Sequence, residues 1–368
     1  MHFPLWVRPF FFILMFCAMT SLNAQKNLRI GIAGLTHTHV HWIFQSAKQG
    51  GFEIVGIAEP NQVLAKRYAD QYGFPMEKVY PSLQVMLDSA APEAVAAFNS
   101  IFEHLAVVEA CAPRGIHVMV EKPLAVNMAH AKKMQTLATK HGIHLLTNYE
   151  TTWYPTVAET YRFVHEENNM GAITKMVIHD GHEGPKAIGV DKEFLEWLTD
   201  PKWNGGGALT DFGCYGANLA TWLLKGERPL SVTAVTQQLQ PEVYPKVEDE
   251  ATIILQYPAS QVIIQASWNW PISRKDMEVY GTKGYLIAKD RQQLVYQLKS
   301  MSQDTTFKVP DLTTPYNDPF RYLAAVIRQE VKVAPTDLSA LPLNMTVVEI
   351  LDAARKSAQT GKTVVLKK

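Results

Sequence analysis

The chain has 368 residues, and its 35 Lys and Arg are balanced by 35 Asp and Glu, which leaves no long basic face for nucleic acid. Its three cysteines exclude a disulfide framework: Cys17 lies in the N-terminal apolar run, Cys111 in a helical pattern and Cys214 in a Gly-rich motif, with no metal-ligand spacing among them. No internal repeat or low-complexity tract interrupts the chain.

Arg8 precedes an apolar run from Phe10 to Met19, and Leu22-Asn23-Ala24 ends in the small residue that signal peptidase requires. The expectation for residues 1–24 is a secretory signal, with the mature chain periplasmic or secreted. The alternative, a retained anchor, is short and interrupted by Pro4, Arg8 and Pro9. About 340 residues then remain, enough for two domains with separate cores.

From Leu28 onward, strands alternate with helices. Apolar runs at 28–34, 54–58, 94–98, 116–120 and 143–147 read as strands, and helical spacing covers 40–48, 61–72, 102–114 and 127–141, the last capped by Asn127. This alternation predicts a parallel, doubly wound α/β domain over 25–148 that binds a dinucleotide. In its first turn Gly34 permits a tight bend, while Thr36 and His39 occupy the second and third glycine positions of the fingerprint. Amides at the next helix start, with Thr36 and His37, can face a pyrophosphate. Glu59 ends the second strand, where it would bind a ribose hydroxyl and repel a 2′-phosphate, favouring NAD over NADP. Its other reading is a solvated strand end. The alternating His37, His39 and His41 also suit a zinc hydrolase, with His179 and His182 as further ligands, but no defined ligand set follows, and the expectation is no metal.

Val120-Glu121-Lys122-Pro123 sets an acid and an amine at the carboxyl end of a strand, where ligands bind in open α/β sheets. Proline there stops strand pairing and biases Lys122 towards an extended conformation. A surface Glu-Lys pair before a helix is the alternative. Gly34 to His39, Glu59, Asn99-Ser100 followed by His104, and Glu121-Lys122-Pro123 together resemble the nucleotide-binding half of the Gfo/Idh/MocA oxidoreductases. The resemblance implies cofactor contacts at Asn99, Ser100 and His104 beside Glu121 and Lys122; the family usually has Thr-Pro where Asn99-Ser100 stands.

Residues 149–368 read as an α+β substrate domain. An aromatic run, Tyr149 to Pro155, leads into a helix reaching about Glu166, and strands at 174–179, 231–238, 251–257, 261–268, 276–280 and 285–289 follow with short turns, so the sheet is largely antiparallel and open-faced. His182 to Gly205 is long and polar with a short helical pattern at 192–198, a candidate lid. Three glycines, Gly205 to Gly207, open a helix on which Asp211 and Tyr215 lie four apart on one face, so that the carboxylate can orient the phenol. A buried Tyr beside a capping Asp is the plainer reading. The run GGGALTDFGCYGANLATW resembles the family's GGGxLxDxGxH segment, with Tyr215 replacing the histidine. Trp268-Asn269-Trp270, residues 280–284 and a final helix at 347–358 extend the resemblance over nearly all of the mature chain.

The resemblance implies an NAD-dependent oxidoreductase acting on a hydroxyl of a sugar, sugar derivative or cyclitol. Tyr215 is the candidate acid/base, Lys122 the cation that lowers its pKa, and Asp211 the group that orients both. Tyr149, Trp153, His179, His182 and Trp268 are candidates for the sugar pocket. Alternatives are an NAD-dependent glycosidase or lyase with no net redox change, and a non-catalytic sugar-binding protein or metal hydrolase. The expected partners are a small carbohydrate and a second copy of the chain through the C-terminal sheet, with no nucleic acid and no stable membrane insertion after cleavage. The absence of a twin arginine implies export unfolded, with NAD then retained and recycled within each cycle.

Overall fold

The structure, a computed structural model, describes residues 27–366, so the expected signal segment and its cleavage site lie outside the described residues. Among the described residues no helix is long and apolar enough to cross a membrane.

Six strands form the first sheet: β1 Leu28–Ala33, β2 Phe52–Ala58, β3 Val79–Tyr80, β4 Ala94–Ala97, β5 His117–Glu121 and β6 Leu145–Asn148. All pair in parallel in the order β3-β2-β1-β4-β5-β6. The strands are near-continuous apolar runs because both faces are covered; every residue of β4 is buried. Asn127 caps its helix as the sequence predicts, accepting the amide of His130, and Asn61, read as the first helical residue, is in fact a cap that accepts the amides of Val63 and Leu64. The two-residue β3 and the helix Leu83–Ala90 were not anticipated, since two residues leave no period to read.

The second sheet has nine strands: β7 Ile173–Gly181, β8 Ser231–Gln237, β9 Glu250–Gln256, β10 Gln261–Ser267, β11 Arg274–Gly281, β12 Gly284–Ala288, β13 Gln293–Leu298, β14 Thr305–Lys308 and β15 Val364–Val365. Their order is β14-β13-β12-β11-β7-β10-β9-β8-β15, antiparallel except for the β7–β10 pair. The last three strands escaped the sequence reading. Ile253, Leu255, Val262 and Ile264 are fully buried on one face, whereas Ile254 and Val235 remain exposed. The helix Gly213–Leu223 covers the buried face so closely that a Cβ at Gly216 would lie 2.5 Å from Ile264.

One helix ties the sheets together, and another covers the first sheet's second core. In Leu341–Thr360, Asp352 accepts the Met128 amide at 2.8 Å, and Val348 is buried in the core of the first sheet. The helix Pro319–Ile327 packs Phe320 and Leu323 into that sheet's other core, with the Phe320 ring near Phe52 and Phe98.

The triple glycine has a packing cause that its sequence reading lacked. A Cβ at Gly207 would sit 1.9 Å from the Glu248 carbonyl oxygen. The Glu248 carboxylate accepts the amides of Gly207 at 2.8 Å and Leu209 at 3.2 Å, closing the start of the short helix Ala208–Asp211. Gly207→Ala is therefore expected to destabilise the protein by more than the roughly 1 kcal/mol of an average substitution, read as a lowered thermal unfolding midpoint. An unchanged midpoint would show that the Glu248 segment gives way freely.

Candidate active site

The strand order reverses at β1, so the turns after β1 and β4 diverge and open a crevice at their carboxyl ends. Gly34 has φ +78°, and a Cβ there would meet the Asn99 Cβ at 2.8 Å, so the first fingerprint position admits no side chain. A cleft of about 350 Å³ lies at this point, lined by Gly34, Thr36, Glu59, Asn99 and Glu103. It fits a dinucleotide on its own chemistry. The glycine lets backbone approach, and the Asn99 side-chain oxygen is buried without a partner among the described residues, an acceptor that a ribose hydroxyl can satisfy.

The other expected cofactor residues are more involved with the protein itself. Thr36 donates to the Phe98 carbonyl at 3.4 Å. Glu59 is buried and accepts the amides of Leu35 at 3.0 Å and Asn61 at 2.9 Å; burial pushes its pKa up against both bonds. Ser100 and Glu103 form a capping box. His104 is fully buried with Nδ1 3.2 Å from the Leu124 carbonyl, and burial lowers its pKa to about 4.

His37 accepts the His39 amide at 3.1 Å and is enclosed by Phe194 and Trp197, with ring centroids at 4.6 and 5.7 Å. These aromatics belong to the 182–205 segment, which folds as Lys192–Leu198 and Pro201–Asn204 against the first turn. His39 caps nothing: its Nδ1 is 2.9 Å from Glu121 Oε2, while Asn148 donates to Glu121 Oε1 at 2.7 Å. Glu121 is thus the last residue of β5, braced from both sides, and not part of the turn. His41 is half-buried with Nδ1 2.5 Å from the Tyr72 hydroxyl.

Lys122 projects into the second half of the chain. Its Nζ donates to Asp211 Oδ1 at 2.5 Å and to the Asp211 carbonyl at 2.9 Å, and Trp268 Nε1 donates to Asp211 Oδ2 at 3.0 Å. Burial works against both charges, but the partner charge together with the surrounding groups more than offsets that cost: Lys122 is held above the ordinary lysine pKa and Asp211, which also gains from His182 and Trp268, below the ordinary carboxylate value. Asp211 therefore orients Lys122 and not Tyr215. The single helix expected from 208 onward is broken at Phe212, so the four-residue spacing does not place the two side chains together. Trp268 is fully buried and positions Asp211, leaving no ring face for a sugar.

Tyr215 lies with its ring centroid 5.0 Å from Lys122 Nζ and 5.2 Å from Lys275 Nζ. Tyr149 meets it edge-on at 5.5 Å. Lys275 pairs with Glu150, whose carboxylate also accepts the Tyr154 hydroxyl at 2.5 Å. Burial opposes the Glu150 charge, but Lys275, His39 and the Tyr154 hydroxyl together outweigh it and hold its pKa at about 2. The expectation that Lys122 lowers the Tyr215 pKa is overturned. Burial of the phenol, with Glu150 next in weight, pushes it well up, because each ammonium is already matched by a carboxylate.

His182 lines an adjoining cleft of about 450 Å³ with Glu150, Tyr154 and Lys275, packs edge-on against Phe212 at 4.9 Å, and is kept neutral by burial. The remaining pocket candidates lie elsewhere. His179 alternates with Ile178 and Asp180 along β7 and so points from the opposite face, where it meets Asp276 at 2.8 Å. Trp153 donates to Asn148 at 2.8 Å and packs on Tyr322. Sequence reasoning missed Glu150, Lys275 and Asp180. Asp180 is buried with neither carboxyl oxygen partnered among the described residues, and burial pushes its pKa well up, favouring the uncharged acid. The zinc ligand set combining His37 and His39 with His179 and His182 does not assemble: among the described residues His37 and His39 lie with Glu121, and His179 lies separately with Asp276 and Glu278, each a grouping with metal-ligand chemistry.

A charged amine and a phenol at the mouth of a dinucleotide crevice are the equipment of an NAD-binding oxidoreductase. Residues 28–149 match the model of the oxidoreductase family with an NAD-binding Rossmann fold, and residues 151–287 that of the GFO/IDH/MocA C-terminal domain. The chain belongs to the Gfo/Idh/MocA oxidoreductase family. It is 27% identical over 270 residues to trans-1,2-dihydrobenzene-1,2-diol dehydrogenase of Xenopus laevis, covering 72% of this chain and 76% of that protein. The Mus musculus protein of the same name is 25% identical over 342 residues, 90% of this chain and 96% of its own. Among solved structures, aldose-aldose oxidoreductase from Caulobacter crescentus, complexed with glycerol, shares the fold at TM-score 0.79 and 22% identity over 93% of this chain and all of its own (100%). An inositol dehydrogenase homolog from Azotobacter vinelandii, complexed with NAD+, does so at TM-score 0.80 and 17% identity over 93% and 98%.

Removing one member of a buried ion pair strands the other. Lys122→Met is expected to cost about 3–5 kcal/mol in urea unfolding, and Lys122→Met with Asp211→Leu to recover part of that loss. A double variant less stable than the single one would mean that Asp211 is held mainly by Trp268.

Proposed function

We propose that the protein interconverts a hydroxyl and a carbonyl on a sugar, sugar derivative or cyclitol, with Tyr215 moving the proton. The observation that carries this reading is the Tyr215 ring lying between the Lys122 and Lys275 ammonium groups at 5.0 and 5.2 Å. The names of the similar proteins, a diol dehydrogenase, an aldose-aldose oxidoreductase and an inositol dehydrogenase homolog, support a substrate bearing several hydroxyls. Bound NAD supplies the hydride acceptor; Gly34, Thr36, Glu59 and Asn99 would hold it, and the Glu59 carboxylate disfavours the extra phosphate of NADP.

Two hydrogen bonds from Lys122 go to Asp211, which leaves one ammonium proton for the substrate oxygen. That proton stabilises negative charge developing on the oxygen in either direction. Because burial holds the phenol protonated, Tyr215 is ready as the donor in carbonyl reduction. Alcohol oxidation instead needs the phenolate, or transfer of the phenol proton onward as the substrate proton arrives. The sign follows: a base with a raised pKa is scarce at neutral pH and grows about tenfold per pH unit below that pKa. We expect kcat/KM for oxidation to climb through pH 9 while that for reduction stays flat, measured by NADH formation and loss. A plateau in oxidation below pH 8 would contradict a raised Tyr215 pKa. Tyr215→Phe should lower turnover by roughly 10²–10⁴-fold with NAD binding retained.

The proposal extends to export and cofactor retention. With Arg8 as the sole basic residue before the N-terminal apolar run, we propose that the chain is exported unfolded, acquires NAD outside the cytoplasm, keeps it, and couples two half-reactions on different sugars. Protein isolated from its native compartment, once denatured, should release nicotinamide dinucleotide, and before denaturation it should turn over a sugar pair without added NAD. Strict dependence on added NAD, one consumed per product, would refute the closed cycle and leave the dehydrogenase assignment standing.

A further inference from the structure

The cleft beyond Tyr215 is unevenly charged. It has four basic side chains, Arg274, Lys275, Lys289 and Arg291, against two acidic ones, Glu150 and Asp290. Two of the basic groups are already matched. Lys275 pairs with Glu150, and the Arg274 guanidinium donates to both oxygens of Asp276 at 2.7 and 2.9 Å. Asp290 spends one oxygen on the turn between β12 and β13, accepting the amides of Gln292 at 2.7 Å and Gln293 at 2.8 Å. Lys289 and Arg291, which flank Asp290, enter no ion pair among the described residues.

Arg291 is nevertheless placed. Its guanidinium lies 5.4 Å from the Tyr154 ring centroid, and its backbone is anchored where Thr156 donates to the Asp290 carbonyl at 2.7 Å and the Arg291 carbonyl at 3.2 Å. A guanidinium resting on an aromatic ring keeps its planar fork of donors free for an oxyanion. Tyr154 also holds Glu150, and Glu150 holds the Lys275 ammonium beside Tyr215. One chain of contacts therefore links the proton-transfer centre to Arg291, an exposed cation at the cleft with no carboxylate partner among the described residues.

We infer that the substrate carries an anionic group, a carboxylate, sulfate or phosphate, at the end remote from the carbon being oxidised, and that Arg291, aided by Lys289, holds that group. The inference rests on the proposed dehydrogenase reading for which end of the substrate reacts, and it names the substrate class within that reading. The cation also selects against the neutral parent, because in the free enzyme it is solvated and gains nothing from a hydroxyl.

The test uses the mature protein loaded with NAD, a fixed excess of an aldose acceptor to reoxidise the cofactor, and matched series: D-glucose, D-glucuronate, glucose 6-sulfate and glucose 6-phosphate, with the galacto and manno counterparts. The expected result is at least one anionic sugar preferred over its neutral parent by about tenfold or more in kcat/KM, the scale of one hydrogen bond to a charged group. That preference should shrink with added salt and disappear in Arg291→Met with Lys289→Met through KM, with kcat kept; Arg291→Lys should retain part of it. Which anion is preferred separates a sugar acid from a sulfated or phosphorylated sugar. Neutral parents turned over as well as every anionic counterpart, or a double variant that depresses both alike, would overturn the inference. Failure of every sugar to reduce the bound NAD in a single turnover would count against the dehydrogenase reading, and calorimetry of the same series on the NAD-loaded protein then decides: binding that requires both the anion and Arg291 upholds the inference, and binding indifferent to either overturns it.

Discussion

The Lys122–Asp211 pair is the constraint on which the two halves of the molecule converge. Lys122 follows the last residue of β5 in the first sheet, and Asp211 ends a helical turn of the second half. Both are buried, and neither could stay charged alone. A buried pair of this kind adds little net stability compared with a well-packed apolar contact, but it penalises strongly any arrangement that separates its members. Its effect is therefore positional: the crevice and the substrate side can assume only the relative placement in which the amine finds its carboxylate. The surrounding bonds follow from that requirement. Trp268 occupies the second Asp211 oxygen, and Glu248 closes the helix start that delivers Asp211.

A second ion pair, Lys275 with Glu150, lies within the second half close to its junction with β6. Glu150 comes directly from the end of β6 and Lys275 from β11, opposite Asp180 in register. Two matched pairs flank one phenol. Since each ammonium is already neutralised, what Tyr215 experiences is mainly the loss of water, and its proton is held more tightly than in solution. Substrate binding can alter this balance by drawing on the remaining Lys122 proton, so the field at Tyr215 is set by what occupies the site.

How much of this was legible in the sequence depends on the kind of signal. The strand-helix alternation, the Asn127 cap and the Lys122 position could be read because each rests on local rules: period, capping chemistry and the carboxyl end of a parallel strand. Asp211 does meet Lys122 as expected but not Tyr215, since helical spacing assumed a continuous helix and the break at Phe212 leaves no pattern in the sequence. Trp268 and Trp153 were read as sugar platforms on residue type alone, yet each spends its indole N–H on a structural acceptor. Lys275 and Asp180 were missed for one reason. The expected strands stopped at His179 and began at Asp276, one residue short of each, and charged residues just outside a strand look like loop surface. Glu150 did carry a usable signal, an acid beyond a parallel strand's carboxyl end, and was passed over because aromatic neighbours dominated the segment.

The segment from His182 to Gly205 joins the cofactor side to the substrate side. It leaves β7 at the cleft with His182 and then crosses to the first turn of the nucleotide domain, where Phe194 and Trp197 enclose His37. The exposed Arg67–Glu193 pair at the same junction contributes little by itself, so the aromatic packing carries the contact. His37 accepts the amide of His39, and His39 braces Glu121, the residue immediately before Lys122. The covering segment and the amine are thus ends of one continuous set of contacts through the turn that follows Gly34. A shift in that turn would move the cover and disturb the seat of Lys122 together, which makes the integrity of the nucleotide crevice a condition for the proton-transfer geometry and not merely a neighbour of it.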